Sequence, residues 1–516
     1  MTYAPHVGVK RFSDYDRDLH LTCDVVVIGS GPGGAVAAKV LADAGKDVIV
    51  LEEGPPFAPT DFVPESGKTM QHLMRESGMR TTRGNVFMPT LQAIGLGGGS
   101  LVNSAICIRP PEWVFDKWAA RSGTTGITAD VLAPHYKNVE DFWGLESTAL
   151  AVQGDRNAAF KRGCDALGIS CEAIVRNTHG CQGSAECISG CRNGAKQSTD
   201  ISFLPAAMKN GARVYSGIRG EHIDAQGRRA TRVRGHVVSP TWKVNGLAPM
   251  TPSYEVTIDA KAVVLAAGCM ATPIILQKSG LGGRWVGKEL QFHPGLAVMG
   301  VFPEPIYPWR GAAQGYHSLQ FLREGIKLEV LWASAAILAA RLPGFGHDFK
   351  AHLVNYKRMA PFDVLIAADH SRGEVRAKRG TFEPDLTFNF AQQDVNTLMR
   401  GMAILADIAF AAGAEEVMPG VAFLPERLRN KSEVDILRTA QVKPSQAVVA
   451  SNHAFGSTRM SKDAAQGVVD EFGKVHTMDN VYITDTGVFP GSPAVNPMLT
   501  AMALADRAAR GAAASL

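Results

Sequence analysis

The sequence predicts a doubly wound α/β fold, and three stretches carry that prediction. Residues 23–54 read CDVVVIGSGPGGAVAAKVLADAGKDVIVLEEG, residues 260–283 read AKAVVLAAGCMATPIILQKSGLGG, and residues 480–509 read NVYITDTGVFPGSPAVNPMLTAMALADRAA. Each holds a short strand-like run, a turn containing Gly or Pro, and a helix-like segment, as parallel strands and their crossover helices do. At 516 residues the chain is too long for one small core, and length alone suggests two to four domains.

In the first stretch the run from Asp24 to Ile28 is rich in β-branched residues, as in a buried parallel strand. Gly29-x-Gly31-x-x-Gly34 follows, then an Ala-rich amphipathic helix ending near Gly45 and a second apolar strand, Val48 to Leu51. Gly29 permits a tight turn, Gly31 lets backbone N–H groups approach a pyrophosphate, and Gly34 lets helix and strand pack closely. A helix N-terminus there offers unpaired donors and a positive dipole end to phosphates, so Gly29, Gly31, Pro32, Gly33 and Gly34 are candidate cofactor-binding residues. Glu52 stands eighteen residues past Gly34, where a carboxylate accepts hydrogen bonds from ribose hydroxyls and disfavours a 2′-phosphate. The unit predicts a dinucleotide and does not by itself choose between FAD and NAD.

Further segments bear on that choice. GLGGGSLVNSAICIRPP (95–111) places four glycines in five residues before Ser100 and Asn103. Backbone of that kind can lie flat against a ligand, with Gly97, Gly98, Gly99 and Ser100 facing a pyrophosphate or ring and Asn103 supplying directed hydrogen bonds. The stretch 260–283 adds a strand, the turn at Ala267–Gly268 and a helix, a further edge of the nucleotide sheet. SNHAFGSTRM (451–460) carries His453. The stretch 480–509 is a strand ending at Asp485, then Asn496-Pro497 capping a final amphipathic helix that begins near Met498.

The bulk numbers are those of an ordinary globular protein: 46% apolar residues, 20% charged, 53 Gly and 28 Pro. A formal charge of +4 gives no reason to expect nucleic acid or an anionic membrane as partner. No stretch approaches about eighteen uninterrupted apolar residues; the nearest, VLWASAAILAARLPGF (330–345), is broken by Arg341 and Pro343 and reads as a buried or cavity-lining helix. The N-terminal residues carry neither an apolar signal core nor a twin-arginine pair, so a cytoplasmic location is expected, where eight cysteines are reduced thiols or metal ligands rather than disulfides.

Taken together, the dinucleotide start, the Gly-Gly-Gly-Ser-x-x-Asn segment, GCMATPIILQKSGLG, HAFGSTRM and DTGVFP…NP resemble, in order, the motifs of the glucose–methanol–choline (GMC) oxidoreductases. The likeness runs from about residue 24 to 512. Two positions depart from the family pattern: Cys269, where a small residue is usual, and Ser457, where Thr is common. The resemblance implies an FAD-binding doubly wound domain interleaved with a substrate domain built on an antiparallel sheet. The expected FAD-binding parts are 20–150, 200–290 and 450–516, and the substrate-binding parts are 151–199 and 291–449. Strand-like HSLQFLR, FDVLIAAD and LTFNFAQ fit that second sheet.

The implied activity is oxidation of an alcohol to an aldehyde or ketone, with FAD as hydride acceptor and oxygen or another electron acceptor regenerating it. His453 matches the acid–base position and Asn496 the second catalytic position, where an amide orients the substrate oxygen without taking its proton. Ala267, Gly268, Asp485, Pro497 and Met498 match flavin-contacting positions. His293, in GKELQFHPG, reads as a structural turn residue. Nothing ties His72 to the flavin, so non-covalent FAD is expected. A lyase of the hydroxynitrile type is the alternative on the same fold; a pure scaffold or an NAD-dependent dehydrogenase leaves His453 and Asn496, or the extra Gly-rich segment, without employment.

CQGSAECISGCRNGAKQSTD (181–200) spaces Cys181, Cys187 and Cys191 as C-x5-C-x3-C, with Cys164 and Cys171 upstream and His179 nearby. The segment that follows Cys191 resembles one GMC branch of bacterial FAD-dependent sugar dehydrogenases, cholesterol-type oxidases and long-chain alcohol oxidases. In the sugar dehydrogenases a similar spacing holds an iron–sulfur cluster that carries electrons away from FAD, so a sugar or polyol dehydrogenase is a further alternative. Three readings stay open here: such a relay, a structural loop of buried or paired thiols, and a zinc site. The substrate region, with VLWASAAILAARLPGFGHDF, YPWRGAAQGYHSLQFL and VFMPTLQAI, shows no obvious cluster of carboxylates or amides and points to an apolar or aromatic, primary or secondary alcohol. Oligomeric state is not legible.

Overall fold

A computed structural model of the protein describes residues 6–238, 254–339 and 341–516. β1 (Leu19–Ile28) leads through Gly29 into α1 (Pro32–Asp43) and then β2 (Val48–Glu52). β1 and β2 run parallel with Val25 opposite Val48, and Arg213–Ser216 adds outside β2 in parallel. On the other side of β1 lies the long strand Glu255–Leu265, which forks the sheet. Its first half pairs antiparallel with Arg229–Val237, itself hairpinned to Ile218–Gln226; its last three residues pair in parallel with Val481–Ile483. The result is a mixed, mainly parallel sheet. Val25, Val26, Val27, Val48, Ile49, Val50, Val263 and Val264 are fully buried, as in a parallel sheet covered on both faces.

The strand ends Ile28, Leu265 and Ile483 lie side by side, so the turns that follow them start from one edge: the Ala266 N–H bonds to Ile28 O, and the Thr484 N–H to Leu265 O. Ligands of parallel sheets bind outside such carboxyl ends. The C-terminal helix Met498–Ser515 packs against α1.

The second sheet is six-stranded and antiparallel, in the order Glu416–Met418, Gly295–Val301, Met359–Ile366, Ile326–Val330, Tyr316–Ser318, Glu172–Ala173. One face buries Leu296, Val298, Leu328, Phe362 and Val364 against helices Gln392–Ala411 and Gly154–Leu167. The approach is close: a Cβ on Gly401 would stand 2.4 Å from Val364 Cγ2. The opposite face carries polar side chains, considered below.

Two expectations are corrected. Residues 386–392 do not join this sheet; Pro384–Asn389 pairs with Arg372–Ala377 in a separate ribbon. The stretch 330–345 is not one helix. Val330 ends a strand, Ala335–Ala339 is a five-residue helix, and Pro343 excludes a helix through the residue before it. Among the described residues no helix is long and apolar enough to cross a membrane.

Candidate functional site

The first glycines are fixed by backbone proximity. Gly29 has φ +106°, and a Cβ there would meet Ala266 O at 2.3 Å; at Gly33 it would meet Thr484 O at 1.8 Å, and at Gly34 it would meet Gly29 O at 1.9 Å. Gly31 differs, since its Cβ position is 3.9 Å from the nearest atom, Gly98 Cα. The first intrahelical bond of α1 runs from Ala35 N to Gly31 O, so the amides of Gly33 and Gly34 precede it at the helix start. Pro32, the first helical residue, has no amide proton to leave unpaired.

The second glycine loop lies against the first. Gly98 (φ +53°) faces Gly31, its Cβ position 2.8 Å from Gly31 Cα, while Gly97 (φ +104°) faces Asp200 and donates its N–H to Ser30 Oγ at 2.9 Å. Ser30 in turn donates its N–H (3.1 Å) and Oγ–H (2.6 Å) to Glu52 Oε2, while Glu52 Oε1 accepts the Gly54 N–H at 2.8 Å. Glu52 therefore braces both loops, and three of its about four acceptor sites are filled. Burial pushes its carboxyl up, against the pull of these donors. Ser100 holds the loop from behind: its Oγ donates to Gly97 O (2.7 Å) and accepts the Thr199 N–H (3.0 Å). Gly99 is open, with nothing within 4 Å of its Cβ position.

Asp485 joins the turns after the two parallel strands. Its Oδ2 accepts the Gly268 N–H (3.0 Å) and Thr272 Oγ–H (2.5 Å), and its Oδ1 accepts the Gly487 N–H (2.8 Å). Gly268 (φ +89°) also faces open space, beside half-buried Ala267. The two positions that depart from the family pattern touch each other: Cys269 Sγ donates to Ser457 Oγ at 3.2 Å, and Ser457 Oγ donates to Cys269 O at 2.5 Å. They act as one buried pair joining the 260–283 turn to the 451–460 segment.

His453 sits where 451–460 runs beside 484–489, the two held by Gly456 N to Thr486 O, Thr458 N to Gly487 O and Met460 N to Val488 O. Its Nδ1 lies 3.3 Å from Nδ1 of His293, whose Nε2 is 2.7 Å from Ser492 Oγ. Ser492 Oγ also accepts the Ala494 N–H at 3.1 Å. His453 is half-buried, and burial lowers its pKa to about 4; the Glu329 charge pulls it up and Lys327 pushes it down. His293 is buried and held well below the usual histidine value by burial, then by His453 and Lys327. Sequence reasoning read His293 as a turn residue and missed its bond to His453, since nothing in a linear motif reveals a contact 160 residues away.

Asn496 is buried, and its Oδ1 has no partner among the described residues; half a turn of the amide would present Nδ2 instead. Pro497 precedes the final helix, and Met498 Sδ accepts from Asn103 Nδ2 at 2.8 Å, tying that helix start to the second glycine loop.

The cysteine loop is fastened behind this loop by Lys196, a residue the sequence did not single out. Its buried Nζ donates to Leu101 O (2.7 Å), Asn103 O (2.9 Å) and Cys187 O (2.8 Å). None of the eight cysteines is in a disulfide. Cys181, Cys187 and Cys191 line one small cavity, but among the described residues no group of three or more His, Cys, Asp or Glu side chains could hold a metal ion, so the iron–sulfur reading finds no support. Lys196→Met should lower stability by about 2–4 kcal/mol by stranding three buried carbonyls, visible as a lower melting temperature; an unchanged melt with normal flavin content would show that water replaces the clamp.

GMC oxidoreductase models match residues 70–295 and 369–505, and an FAD binding domain model matches residues 24–63. An uncharacterised GMC-type oxidoreductase of Mycobacterium tuberculosis is 31% identical over 93% of this chain and 74% of its own. The long-chain-alcohol oxidase FAO4B of Arabidopsis thaliana is 30% identical over 94% of this chain and 67% of its own. Among solved structures, pyridoxine 4-oxidase from Mesorbium loti superposes with a TM-score of 0.73 at 19% identity, covering 95% of this chain and 99% of that one. A formate oxidase also reaches 0.73, at 16% identity over 97% and 99%.

The chain belongs to the GMC oxidoreductases, and it is an FAD-dependent enzyme of the alcohol oxidase/dehydrogenase class. The residues present fit FAD. The helix-start amides, the open Cβ positions at Gly31, Gly99 and Gly268, and the unpartnered Asn496 Oδ1 all await a ligand.

Proposed function

We propose that the enzyme oxidises an alcohol to an aldehyde or ketone, with His453 taking the hydroxyl proton and Asn496 orienting the oxygen that loses it. FAD, when bound, supplies the hydride acceptor. The observation that carries this reading is the His453–His293–Ser492 chain, with buried Asn496, its Oδ1 unpartnered, four residues on from Ser492.

In one tautomeric arrangement every partner is satisfied. His453 Nδ1–H donates to His293 Nδ1, and His293 Nε2–H donates to Ser492 Oγ, which still accepts the Ala494 N–H. His453 Nε2 then carries a lone pair, as a general base requires, and His293 is a positioning residue that holds the ring and its tautomer. Because burial keeps both rings neutral, the base is ready without prior deprotonation.

An apolar or aromatic primary or secondary alcohol is supported by Ala297, Met299, Met359, Met418, Leu338 and Leu342, which cluster on the polar-bearing side of the second sheet, and by the long-chain-alcohol oxidase relatives. FAD is held non-covalently, and oxygen or another carrier reoxidises it. The test is anaerobic addition of octan-1-ol and of benzyl alcohol to the yellow protein. Loss of flavin absorbance, with all flavin released into the supernatant on acid precipitation, supports the reading. A flavin that stays oxidised with every alcohol offered overturns it, as expected of a lyase, and colour left in the pellet overturns non-covalent binding.

A further inference from the structure

The sheet face turned away from helix Gln392–Ala411 holds a second polar cluster close to His453. Opposed residues of antiparallel strands share a face. By register, His317 stands opposite Glu329, Glu329 opposite Asp363 and Asp363 opposite Ala297, one row across four strands. Lys327 stands in the next row, opposite Leu365, which is itself opposite Gly295. His317, Lys327, Glu329 and Asp363 are all buried. The row lies near the base: Gly295 and Ala450 exchange backbone hydrogen bonds, and His453 feels the charges of both Glu329 and Lys327.

Within this cluster only Lys327 and Glu329 are paired, by a direct ion pair. Among the described residues the Asp363 carboxyl has no hydrogen bond or ion pair, and burial pushes it up to about 8 despite the pull of Arg341 and Lys327. His317 Nδ1 is buried without a partner, and so is Nη2 of Arg341, whose Nη1 donates to Val448 O at 3.1 Å. Buried polar atoms are almost always satisfied, and two such orphans, His317 Nδ1 and Arg341 Nη2, beside the unbonded Asp363 carboxyl mark a place where a polar group belongs. The sequence showed no obvious cluster of carboxylates in this region, and strand register forms one by bringing Glu329 and Asp363 together.

We propose that this row anchors a second, neutral hydrogen-bonding group of the substrate, such as a second hydroxyl, which donates to Asp363 and accepts from a cluster donor. This rests on the alcohol-oxidation reading above and names its substrate class: an alcohol with an apolar body and a distal hydroxyl. Neutrality follows from charge. Lys327 offsets Glu329, and burial favours the neutral form of the Asp363 carboxyl, so a cationic group would add an unbalanced buried charge. A site built to bond a hydroxyl also rejects the analogue that lacks it, because its own buried groups are then left unpaired.

The test compares isosteric pairs on the FAD-loaded enzyme: hexane-1,6-diol against heptan-1-ol, and benzene-1,4-dimethanol against 4-ethylbenzyl alcohol, with 4-(aminomethyl)benzyl alcohol as the charged control. The expected kcat/KM ratio, diol over mono-alcohol, is at least ~10-fold, beyond the twofold that two equivalent ends supply. Asp363→Leu should remove that ratio, whereas Asp363→Asn, still able to accept, should keep part of it. Flavin content and melting temperature, measured on each variant, separate loss of the anchor from loss of fold. Equal kcat/KM within both pairs, a preference for the amine, or a ratio untouched in Asp363→Leu overturns the proposal. If no compound bleaches the flavin, the alcohol-oxidation reading fails, and the anchor is read from dissociation constants obtained by perturbation of the flavin spectrum. Tighter diol binding lost in Asp363→Leu supports it, and equal binding of diol and mono-alcohol overturns it.

Discussion

His453→Ala enzyme is expected to purify with a full complement of FAD and to turn over at least ~10²-fold more slowly than the native protein. The retained flavin follows from position: the loops at Gly29–Gly34 and Gly97–Ser100 are braced by Ser30, Glu52 and Thr199, none of which touches His453. The lost rate follows from chemistry, since Asn496 can orient a hydroxyl but cannot take its proton. The pH dependence is a sharper check. Burial first, and Lys327 second, depress the His453 pKa to about 4 against the upward pull of Glu329. A base with a depressed pKa stays deprotonated until the pH falls through that lower value. Thus kcat/KM for the native enzyme should be level from about pH 8 to pH 5 and fall only below it, whereas an ordinary histidine would begin to lose activity near 6.5. Flavin-replete His453→Ala with near-normal turnover removes the assignment, and an acid limb near 6.5 removes the desolvated ring.

Gly33→Ala should be the more damaging change to the molecule itself. The added Cβ would stand 1.8 Å from Thr484 O and 2.8 Å from Thr484 C, both backbone atoms at the end of the strand Val481–Ile483, with no flexible side chain to yield. Either α1 or that strand must shift, at about 3 kcal/mol or more, and the turn that carries Asp485 shifts with it. The expected product is insoluble or flavin-free protein with a lowered melting temperature. Gly99→Ala is the control, because its Cβ position meets no protein atom within 4 Å. It should melt as the native apoprotein does, and any fall in its flavin affinity reports on space that the cofactor uses. Normal melting and flavin content in Gly33→Ala would show that the first turn of α1 is looser than its packing implies.

Much of this was legible in the chain because it is local. The turn at Gly29, the helix from Pro32, the strand ending at Glu52 and the helix from Met498 depend on neighbours a few residues apart, and Gly or Pro punctuates each. The family motifs were legible for the same reason. What escaped was long-range. IKLEV (326–330) alternates polar and apolar residues like a strand with one solvated face, yet Lys327 and Glu329 are buried, because a second layer with helices Ala335–Ala339 and Gly346–Val354 covers part of that face. His293 looked like part of a turn until His453 was set 3.3 Å from it.

The sequence by itself determined the cofactor class, the order of the loops that hold it and the identity of the acid–base candidate, since each is written in contiguous residues whose conformations are set by their own backbone limits. Only the tertiary structure decided that the three loop cysteines stay free thiols around one small cavity, that Cys269 and Ser457 bond to each other, and that Asp363 and His317 share a buried row. Such contacts depend on strand register and on the meeting of segments far apart in the chain, and a one-residue slip in register would turn Asp363 or His317 to the opposite face.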